Sequence, residues 1–337
     1  MSKALKLEDV KISCVVCTLH APTSIEKLLD SLLLQEWFDG DELILIDNGL
    51  SSQRRSQVEQ RLKDFTERGI FAQCHLEPQR GVVYARIKSI QVSKNPWLLS
   101  LDDDNILGSG AFRQIRQRLF EYPALGGICP HLEPVWEVKP EPWVIALGHQ
   151  VLSYNISEQY SSPYQWCLWK PGAIGQRPPT GGMIIAKTVA EDFIRLCLRT
   201  PIIFDFTPKG ERRFTGEDFI MYSLIYMRKD LFSAYDDSII VQHQIPVKRT
   251  TLRYLVMTMF WSNYSFGIQG LMRFGKLNVF YCLARGWARL LYEMIKQCSH
   301  TASWRILFAY CLGFLGFLFG TFNGLFNVEC KRIRIDP

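Results

Sequence analysis

PWLLSLDDDNIL, residues 96–107, is an apolar segment interrupted by three consecutive carboxylates. A short apolar run bounded by polar residues is typical of a buried strand. Working outward, similar runs alternate with segments of helical periodicity. Strands are expected at residues 11–18, 42–46, 70–76 and 96–101, and helices at 24–35, 53–69, 82–92 and 110–122. This alternation predicts an α/β fold with a mostly parallel sheet and crossover helices.

Polar residues follow three of these strands at the point where each strand ends. Thr18 follows the first, Asp47 the second, and the run Asp102, Asp103 and Asp104 the fourth. The carboxyl ends of parallel strands form the ligand-binding edge of such a sheet. Adjacent carboxylates repel one another unless a cation compensates, and hard oxygen ligands suit Mg²⁺ or Mn²⁺ with a substrate phosphate completing the shell. The alternative is a solvated acidic loop.

Other candidate residues each allow two interpretations. Asp47 either forms a turn or accepts hydrogen bonds from a base or ribose, and Arg86, after the turn QRGVV, can reach a phosphate or base. His243 follows a strand-like segment and is either structural or a ligand of metal or phosphate. Gly181 and Gly182 form a turn before an apolar run, where a substrate can approach the backbone.

Residues 214–221, FTGEDFIM, contain an adjacent Glu217–Asp218 pair. One interpretation is structural: Thr215 caps a helix and the two acids lie in its first turn. The other is chemical: a carboxylate base takes the proton from a hydroxyl acceptor.

Composition and charge separate the C-terminal part from the rest. The 337 residues are 47% hydrophobic and 21% charged, which excludes a disordered chain. The net charge is +6, yet residues 245–337 hold 12 Lys and Arg against 3 Asp and Glu. The charge therefore divides the chain into residues 1–245, which carry the candidate catalytic residues, and an expected basic helical region over 246–337. A tail that meets an anionic surface fits this distribution better than a nucleic-acid-binding domain does.

The basic region contains two membrane-type signals. Residues 306–328 are charge-free and long enough to span a bilayer, although a buried core helix or a re-entrant segment fits the same pattern. Residues 276–296 predict a basic amphipathic helix with Arg285 and Arg289 on one face, typical of a membrane interface or of a packed surface helix. The polar N-terminus and ten unpatterned cysteines predict a reducing compartment, hence the cytoplasmic face of a membrane.

The ordered set VVCTLHAP, LILIDNG, QRGVVYARIKS, LLSLDDDN, PPTGGMIIAK and TGEDFIM, within residues 10–245, resembles family 2 glycosyltransferases. The resemblance implies a Rossmann-like GT-A fold and an inverting enzyme of hexosyltransferase type. Such an enzyme uses a nucleotide-diphosphate sugar donor, a divalent metal and a hydroxyl acceptor. A role in membrane-linked polysaccharide or glycolipid synthesis, on a lipid-linked glycan, follows from the resemblance and the tail together.

The resemblance also implies residue roles. Thr18 and Asp47 lie near the base, and Arg86 matches the family's Ala-Arg segment. Asp102 contacts ribose or metal, beside Asp103, and Asp104 holds the ion. On the acceptor side, Asp218 is the base, Glu217 supports the acceptor, and Gly181 and Gly182 form the glycine turn.

Three questions stay open at this level. Residues 250–273, with Trp261, either cover the acceptor side or form a core helix. A nucleotidyltransferase can use the same acidic cluster, but residues 18–24, TLHAPTS, lack the Gly-rich basic loop it needs. An inactive membrane scaffold is the third possibility, against which the intact acidic motifs argue.

Overall fold

The computed structural model describes residues 6–19, 23–152, 166–169, 181–207, 216–228, 230–301 and 303–327. Within it the chain forms two compact units. The first contains residues 1–135, 155–193 and 221–244, and the second contains 136–154, 194–220 and 245–337. Residues 136–154 and 194–220 group with the C-terminal helices, and the predicted domain boundary at residue 245 stays a prediction.

The first unit is built on a sheet whose first four strands are parallel. In chain order the elements are β1 (Ile12–Thr18), α1 (Ser24–Leu33), β2 (Glu42–Asp47), α2 (Ser52–Thr66), β3 (Phe71–Leu76), α3 (Val82–Val92) and β4 (Trp97–Asp102). They lie side by side in the order β3-β2-β1-β4. Both faces of β1 and β2 are buried, which is why their sequences are continuous apolar runs rather than alternating ones.

The other half of the sheet is antiparallel. Its strands are β5 (Asn105–Leu107), β6 (Leu125–Trp136), β7 (Trp166–Trp169), β8 (Met183–Ala186) and β9 (Phe232–Ile245), and its helices are α4 (Ala111–Glu121), α6 (Lys187–Arg199) and α7 (Glu217–Ser223). The order continues β4-β8-β6-β9-β5, and β7 pairs with β9. The α/β architecture with flanking helices is therefore as the sequence predicts, and the antiparallel edge makes the sheet mixed.

One charged side chain lies in the core beneath β1. Arg116, on α4, is fully buried and donates to the carbonyl oxygens of Val10 (3.2 Å) and Glu36 (2.8 Å) and to the Asp41 carboxylate. Asp41 also accepts from the backbone N–H of Ile12, at 2.9 Å. This buried pair ties α4 to the start of β1 and to the turn before β2.

The second unit is mainly helical. Its full helices are α5 (Pro142–Val151), α8 (Leu252–Phe274), α9 (Val279–His300) and α10 (Trp304–Phe326). Glycines let α10 lie directly on α8: a Cβ on Gly316 would overlap the backbone of Phe260, and one on Gly320 would overlap that of Tyr264. The glycines of the apolar tail therefore serve close helix packing.

Helix α9 packs against α8 through Arg289, and the membrane-interface alternative for residues 276–296 stays a prediction. Arg289 is not exposed: it donates to Asn263 Oδ1 of α8 at 2.7 Å and stacks 5.2 Å from the Phe266 ring. Desolvation lowers the pKa of this guanidinium to about 10 although Glu293 opposes the shift. The Arg289 side of α9 therefore faces α8, while large apolar side chains of the same helix are exposed.

Both α9 and α10 consequently expose rows of large apolar side chains. The exposed residues are Phe280, Tyr281, Trp287, Leu291, Tyr292 and Ile295 on α9, and Trp304, Leu307, Phe308, Leu315, Phe319, Phe322 and Phe326 on α10. Of the helices described, α10 is the one long and apolar enough to cross a bilayer, and 44% of its most apolar stretch is buried in the protein. A core helix passes the same length and composition test, so the helix fits a membrane-associated tail without establishing a span.

Candidate functional site

The predicted polar residues of the first unit meet at one edge of the sheet. The parallel register pairs Thr18 with Asp47 and Cys17 with Asp102, so the carboxyl ends of β1, β2 and β4 are level. This register brings together the side chains that the sequence places after three separate strands. The edge is the ligand-binding edge expected of a parallel α/β sheet.

Arg86 lies under the edge and contacts the first carboxylate of the acidic run. It is 4% exposed; its Nη1 donates to Ser100 Oγ, and its Nη2 lies 3.4 Å from Asp102 Oδ1. The Asp102 side chain is 47% exposed, so its carboxylate stays accessible to a ligand. A buried guanidinium beside an accessible carboxylate offsets the repulsion between the three acids.

Asp103 forms hydrogen bonds with the end of β1 and the start of α1. Thr18 Oγ1 donates to Asp103 Oδ2 at 2.6 Å, and Ser24 Oγ, at the start of α1, donates to the Asp103 carbonyl at 3.1 Å. The middle residue of the run therefore orients the acidic turn and holds Thr18. A ligand role for Asp103 and Thr18 stays a prediction.

Asp104 and His243 form the pair best suited to a metal ion. Strands β5 and β9 pair Asn105 with His243, which places His243 Nε2 3.3 Å from Asp104 Oδ2. The Asp104 carbonyl also accepts from the Gln244 backbone N–H at 2.9 Å. Within the described ranges no group of three or more His, Cys, Asp or Glu side chains is arranged to hold a metal. A carboxylate and an imidazole nonetheless suit Mn²⁺ or Mg²⁺ when a diphosphate and water supply the other ligands.

Asp47 is fully buried and both of its oxygens are engaged. Oδ1 accepts from the backbone N–H groups of Gly49 (2.9 Å) and Leu50 (2.7 Å), and Oδ2 accepts from Arg55 Nε at 2.6 Å. The turn-forming interpretation therefore has direct contacts to support it. Nucleotide contact through Asp47 stays a prediction, and Arg55 is a nearby cation that the sequence analysis missed because nothing in a polar helix distinguishes it.

Asn48 shapes the loop that leads into α3. Its amide donates to the carbonyls of Glu77 (3.1 Å) and Gln79 (2.7 Å), and its Oδ1 accepts from the Gly81 N–H at 2.8 Å. Gly81 has φ +145°, a conformation that side chains rarely adopt. Asn48, which directly follows β2, thus holds the loop that leads into α3, the helix that carries Arg86.

The glycine turn packs inside the first unit. Gly182 has φ +74°, and a Cβ on it would lie 2.8 Å from Val241 Cγ2. A Cβ on Gly181 would lie 3.2 Å from Leu132 Cδ1. These contacts explain both glycines structurally, and their acceptor-side role stays a prediction. Residues 178–180 of the motif lie outside the described residues.

Cys17, on β1, pairs with Asp102 at this edge. Burial raises the pKa of Cys17 to about 12, although the nearby Arg86 opposes the shift. A thiol of this kind is not a nucleophile at neutral pH. The chemistry of the edge therefore depends on its carboxylates, arginine and imidazole.

The second unit carries the Glu217–Asp218 pair at the start of α7. Glu217 is 5% exposed and its Oε2 accepts from the Gly216 N–H at 3.3 Å, whereas Asp218 is half-buried and its Oδ1 accepts from the Phe219 N–H at 2.7 Å. Both acids lie in the first helical turn, as the capping interpretation expects. Thr215, the predicted cap, lies outside the described residues.

Trp261 lies on α8 within an aromatic group. Its ring centroid is 5.1 Å from that of Phe260 and 5.4 Å from that of Tyr264. The Tyr264 hydroxyl in turn accepts from Asn323 of α10 at 2.6 Å. The structure thus places Trp261 in helix packing, and its acceptor role stays a prediction.

Comparison with known proteins decides the family. Residues 13–163, which contain β1 to β4 and the acidic run, match the model of glycosyl transferase family 2. This segment is a family 2 glycosyltransferase domain. The resemblance drawn from the motifs is confirmed over these residues by this match.

The chain is also similar to solved structures that are distant from it in sequence. Residues 1–349 of S. aureus TarS align over 93% of this chain and 90% of that one, with 12% identity and a TM-score of 0.48. GalNAc-T7 with UDP, GalNAc and Mn²⁺ aligns over 77% of this chain and 50% of that one, with 15% identity and a TM-score of 0.49. No curated protein sequence gave a significant match.

Proposed function

We propose that the protein is an inverting glycosyltransferase that moves a sugar from a nucleotide-diphosphate donor to a hydroxyl acceptor. The observation that carries the proposal is the contact between Asp104 and His243, next to the Arg86–Asp102 pair at the carboxyl edge of the sheet. Arg86, Asp102 and Asp104 lie within the residues that match the family 2 model. With His243 they combine metal ligands with a cation, the groups that bind a nucleotide diphosphate.

The donor end follows from the chemistry of those side chains. Asp104 and His243 would hold Mn²⁺ or Mg²⁺, with Asp102 as a further carboxylate. The bound ion would supply Lewis-acid stabilisation of charge on the diphosphate leaving group. Arg86 offers a fixed cation under the same edge, and Thr18, Asp47 and Asp103 shape the pocket for base and ribose.

The acceptor end depends on the Glu217–Asp218 pair. Asp218, the more exposed carboxylate, takes the proton from the acceptor hydroxyl as its oxygen attacks the anomeric carbon and the nucleotide diphosphate leaves. Glu217 orients the acceptor or its neighbour. One displacement inverts the anomeric centre and needs one base, so no covalent enzyme intermediate forms.

Asp104→Asn tests the donor site. We expect it to abolish the Mn²⁺-dependent part of nucleotide-diphosphate binding, because an amide is a much weaker ligand than a carboxylate for a hard cation. Calorimetric titration with UDP, GDP and dTDP, with and without Mn²⁺, measures this. Asp30→Asn, a carboxylate 66% exposed on α1, is the matched control and should bind like the parent. Metal-independent binding, or none, in the parent would favour the scaffold interpretation.

We also propose that the second unit lies in the surface of an anionic membrane, at its cytoplasmic face, beside a lipid-linked acceptor. The exposed apolar rows on α9 and α10 are accompanied by the exposed basic residues Arg273 and Arg285. Helix α10 packs on α8, and α9 is hydrogen-bonded to α8 through Arg289 and Asn263. Because the three helices are in contact, α10 does not cross the bilayer as an isolated helix. An in-plane bundle with its apolar rows in the headgroup region fits these contacts.

The double variant Phe280→Glu with Ile295→Glu tests this placement. Each side chain is more than half exposed, and transferring one into lipid gains about 1.5–3 kcal/mol, so the pair should weaken vesicle binding by about 10²-fold or more. Flotation with vesicles of anionic or neutral lipid measures it. Leu34→Glu, at a leucine 79% exposed on the first unit, is the control and should float normally. Unchanged flotation of the double variant would contradict the in-plane arrangement.

A further inference from the structure

The residue directly before the Glu217–Asp218 pair is held by a side chain from the long helix α8. Gly216 has φ +112°, and a Cβ there would overlap the Gln269 amide. Gln269 Nε2 donates to the Gly216 carbonyl at 3.4 Å. Only glycine combines that backbone angle with so close a neighbour.

This contact continues into the pair itself. While the Gly216 carbonyl accepts from Gln269, the Gly216 N–H donates to Glu217 Oε2 at 3.3 Å. The two polar groups of one residue therefore connect α8 to the first carboxylate of α7. The Phe266 ring, one turn earlier on α8, contacts the Phe219 ring edge-on at 6.1 Å. Two successive turns of α8 thus meet both sides of the pair.

The Gln269 side chain is unusual among the buried amides of this helix. It is 7% exposed, and its Oε1 has no hydrogen-bond partner among the described residues. Asn263, by contrast, uses both ends of its amide, donating to Met259 and accepting from Arg289. An unpaired buried acceptor is costly, and an apolar side chain would fill the same space without that cost. The role of the amide here is therefore the hydrogen bond that its N–H donates to the Gly216 carbonyl.

We propose that Gln269 is a positioning residue for the catalytic carboxylates. It holds the Gly216 peptide in its left-handed conformation, and that peptide sets the direction in which Glu217 and Asp218 leave the loop. The inference rests on the proposed role of Asp218 as base. It adds that α8, on which the apolar helix α10 packs, determines the geometry of that base.

Two variants of one residue separate positioning from packing. Gln269→Leu keeps the side-chain volume and removes the N–H that donates to the Gly216 carbonyl. We expect kcat to fall by about 10–100-fold, since a small misplacement of a reacting group costs rates of this order. The KM for the sugar-nucleotide should be unchanged. The Gln269→Glu side chain has no hydrogen-bond donor when it is ionised, and it gains an O–H hydrogen-bond donor when it is protonated. Its kcat relative to the parent should therefore recover as the pH falls.

The controls make each outcome decisive. Thr258→Val removes a hydroxyl on α8 that bonds the Tyr254 carbonyl at 2.8 Å, and should leave kcat near the parent value. The positioning role is overturned if Gln269→Leu has parental kcat, or if the Gln269→Glu deficit is the same at every pH. If Asp218→Asn is fully active, the proposed function fails instead, whatever the Gln269 variants do. Circular dichroism of each full-length variant checks folding.

Discussion

Asp218→Asn is expected to reduce sugar transfer by about 10²–10⁴-fold, the range that a positioned general base contributes. The amide fills the same space, and its Oδ1 can still accept from the Phe219 N–H as the carboxylate does. It cannot take a proton from the acceptor hydroxyl at neutral pH. Transfer assays with the donor identified by screening UDP-, GDP- and dTDP-sugars measure the loss.

Donor binding should survive this substitution. The residues proposed to bind the nucleotide belong to the first unit, whereas Asp218 belongs to the second. Calorimetry with the nucleotide diphosphate and Mn²⁺ should therefore give a parental dissociation constant. Asp230→Asn, at a carboxylate 64% exposed, is the control and should transfer sugar normally. Parental turnover by Asp218→Asn would refute the inverting mechanism proposed here.

Arg116→Leu is expected to lower the free energy of unfolding by about 3–5 kcal/mol, the usual cost of removing one partner from a buried ion pair. The Asp41 side chain is 1% exposed and would lose its buried counter-ion. Burial raises the pKa of Asp41 and lowers that of Arg116, although each charge opposes the shift of the other. The carbonyls of Val10 and Glu36 would also lose their donor.

Urea unfolding followed by circular dichroism measures this loss. Arg113→Leu, an exposed arginine on the same helix, is the matched control and should change stability by about 0.5 kcal/mol or less. The double variant Arg116→Leu with Asp41→Leu should recover part of the loss, since two apolar groups replace the pair. Equal losses for Arg116 and Arg113 would show that the buried pair is not what holds α4.

The parallel half of the fold could be predicted from the sequence almost residue by residue. The strand expected at residues 42–46 is β2, Glu42–Asp47, and the helix expected at 82–92 is α3, Val82–Val92. Runs such as ELILI have both faces buried, so hydrophobicity alone marks them. The antiparallel edge was harder, because β5 has three residues and its partner β9 comes more than a hundred residues later.

The candidate site was predictable in its residue types but not in its contacts. Three acids after a strand point to a cation from sequence alone, yet the partner of Asp104 is His243, which only the β5–β9 register brings within 3.3 Å. Gln269 carries no sequence signal, since a glutamine in an apolar helix looks like any surface residue. The Arg289 contact with Asn263 carries no sequence signal either, because helical periodicity shows which residues share a face, not which face is buried.

The α/β class, the acidic edge and the apolar C-terminal helix could be predicted without coordinates, because they depend on local patterns of polarity and on strand ends. The tertiary structure decided which charges are neighbours, which helix face is covered and why the tail is rich in glycine. Those features depend on pairs of residues far apart in the chain. Gly320 is required because Tyr264 packs against it, and Gly216 because Gln269 does. Close packing depends on two surfaces that are far apart in the chain, so a local sequence pattern cannot predict it.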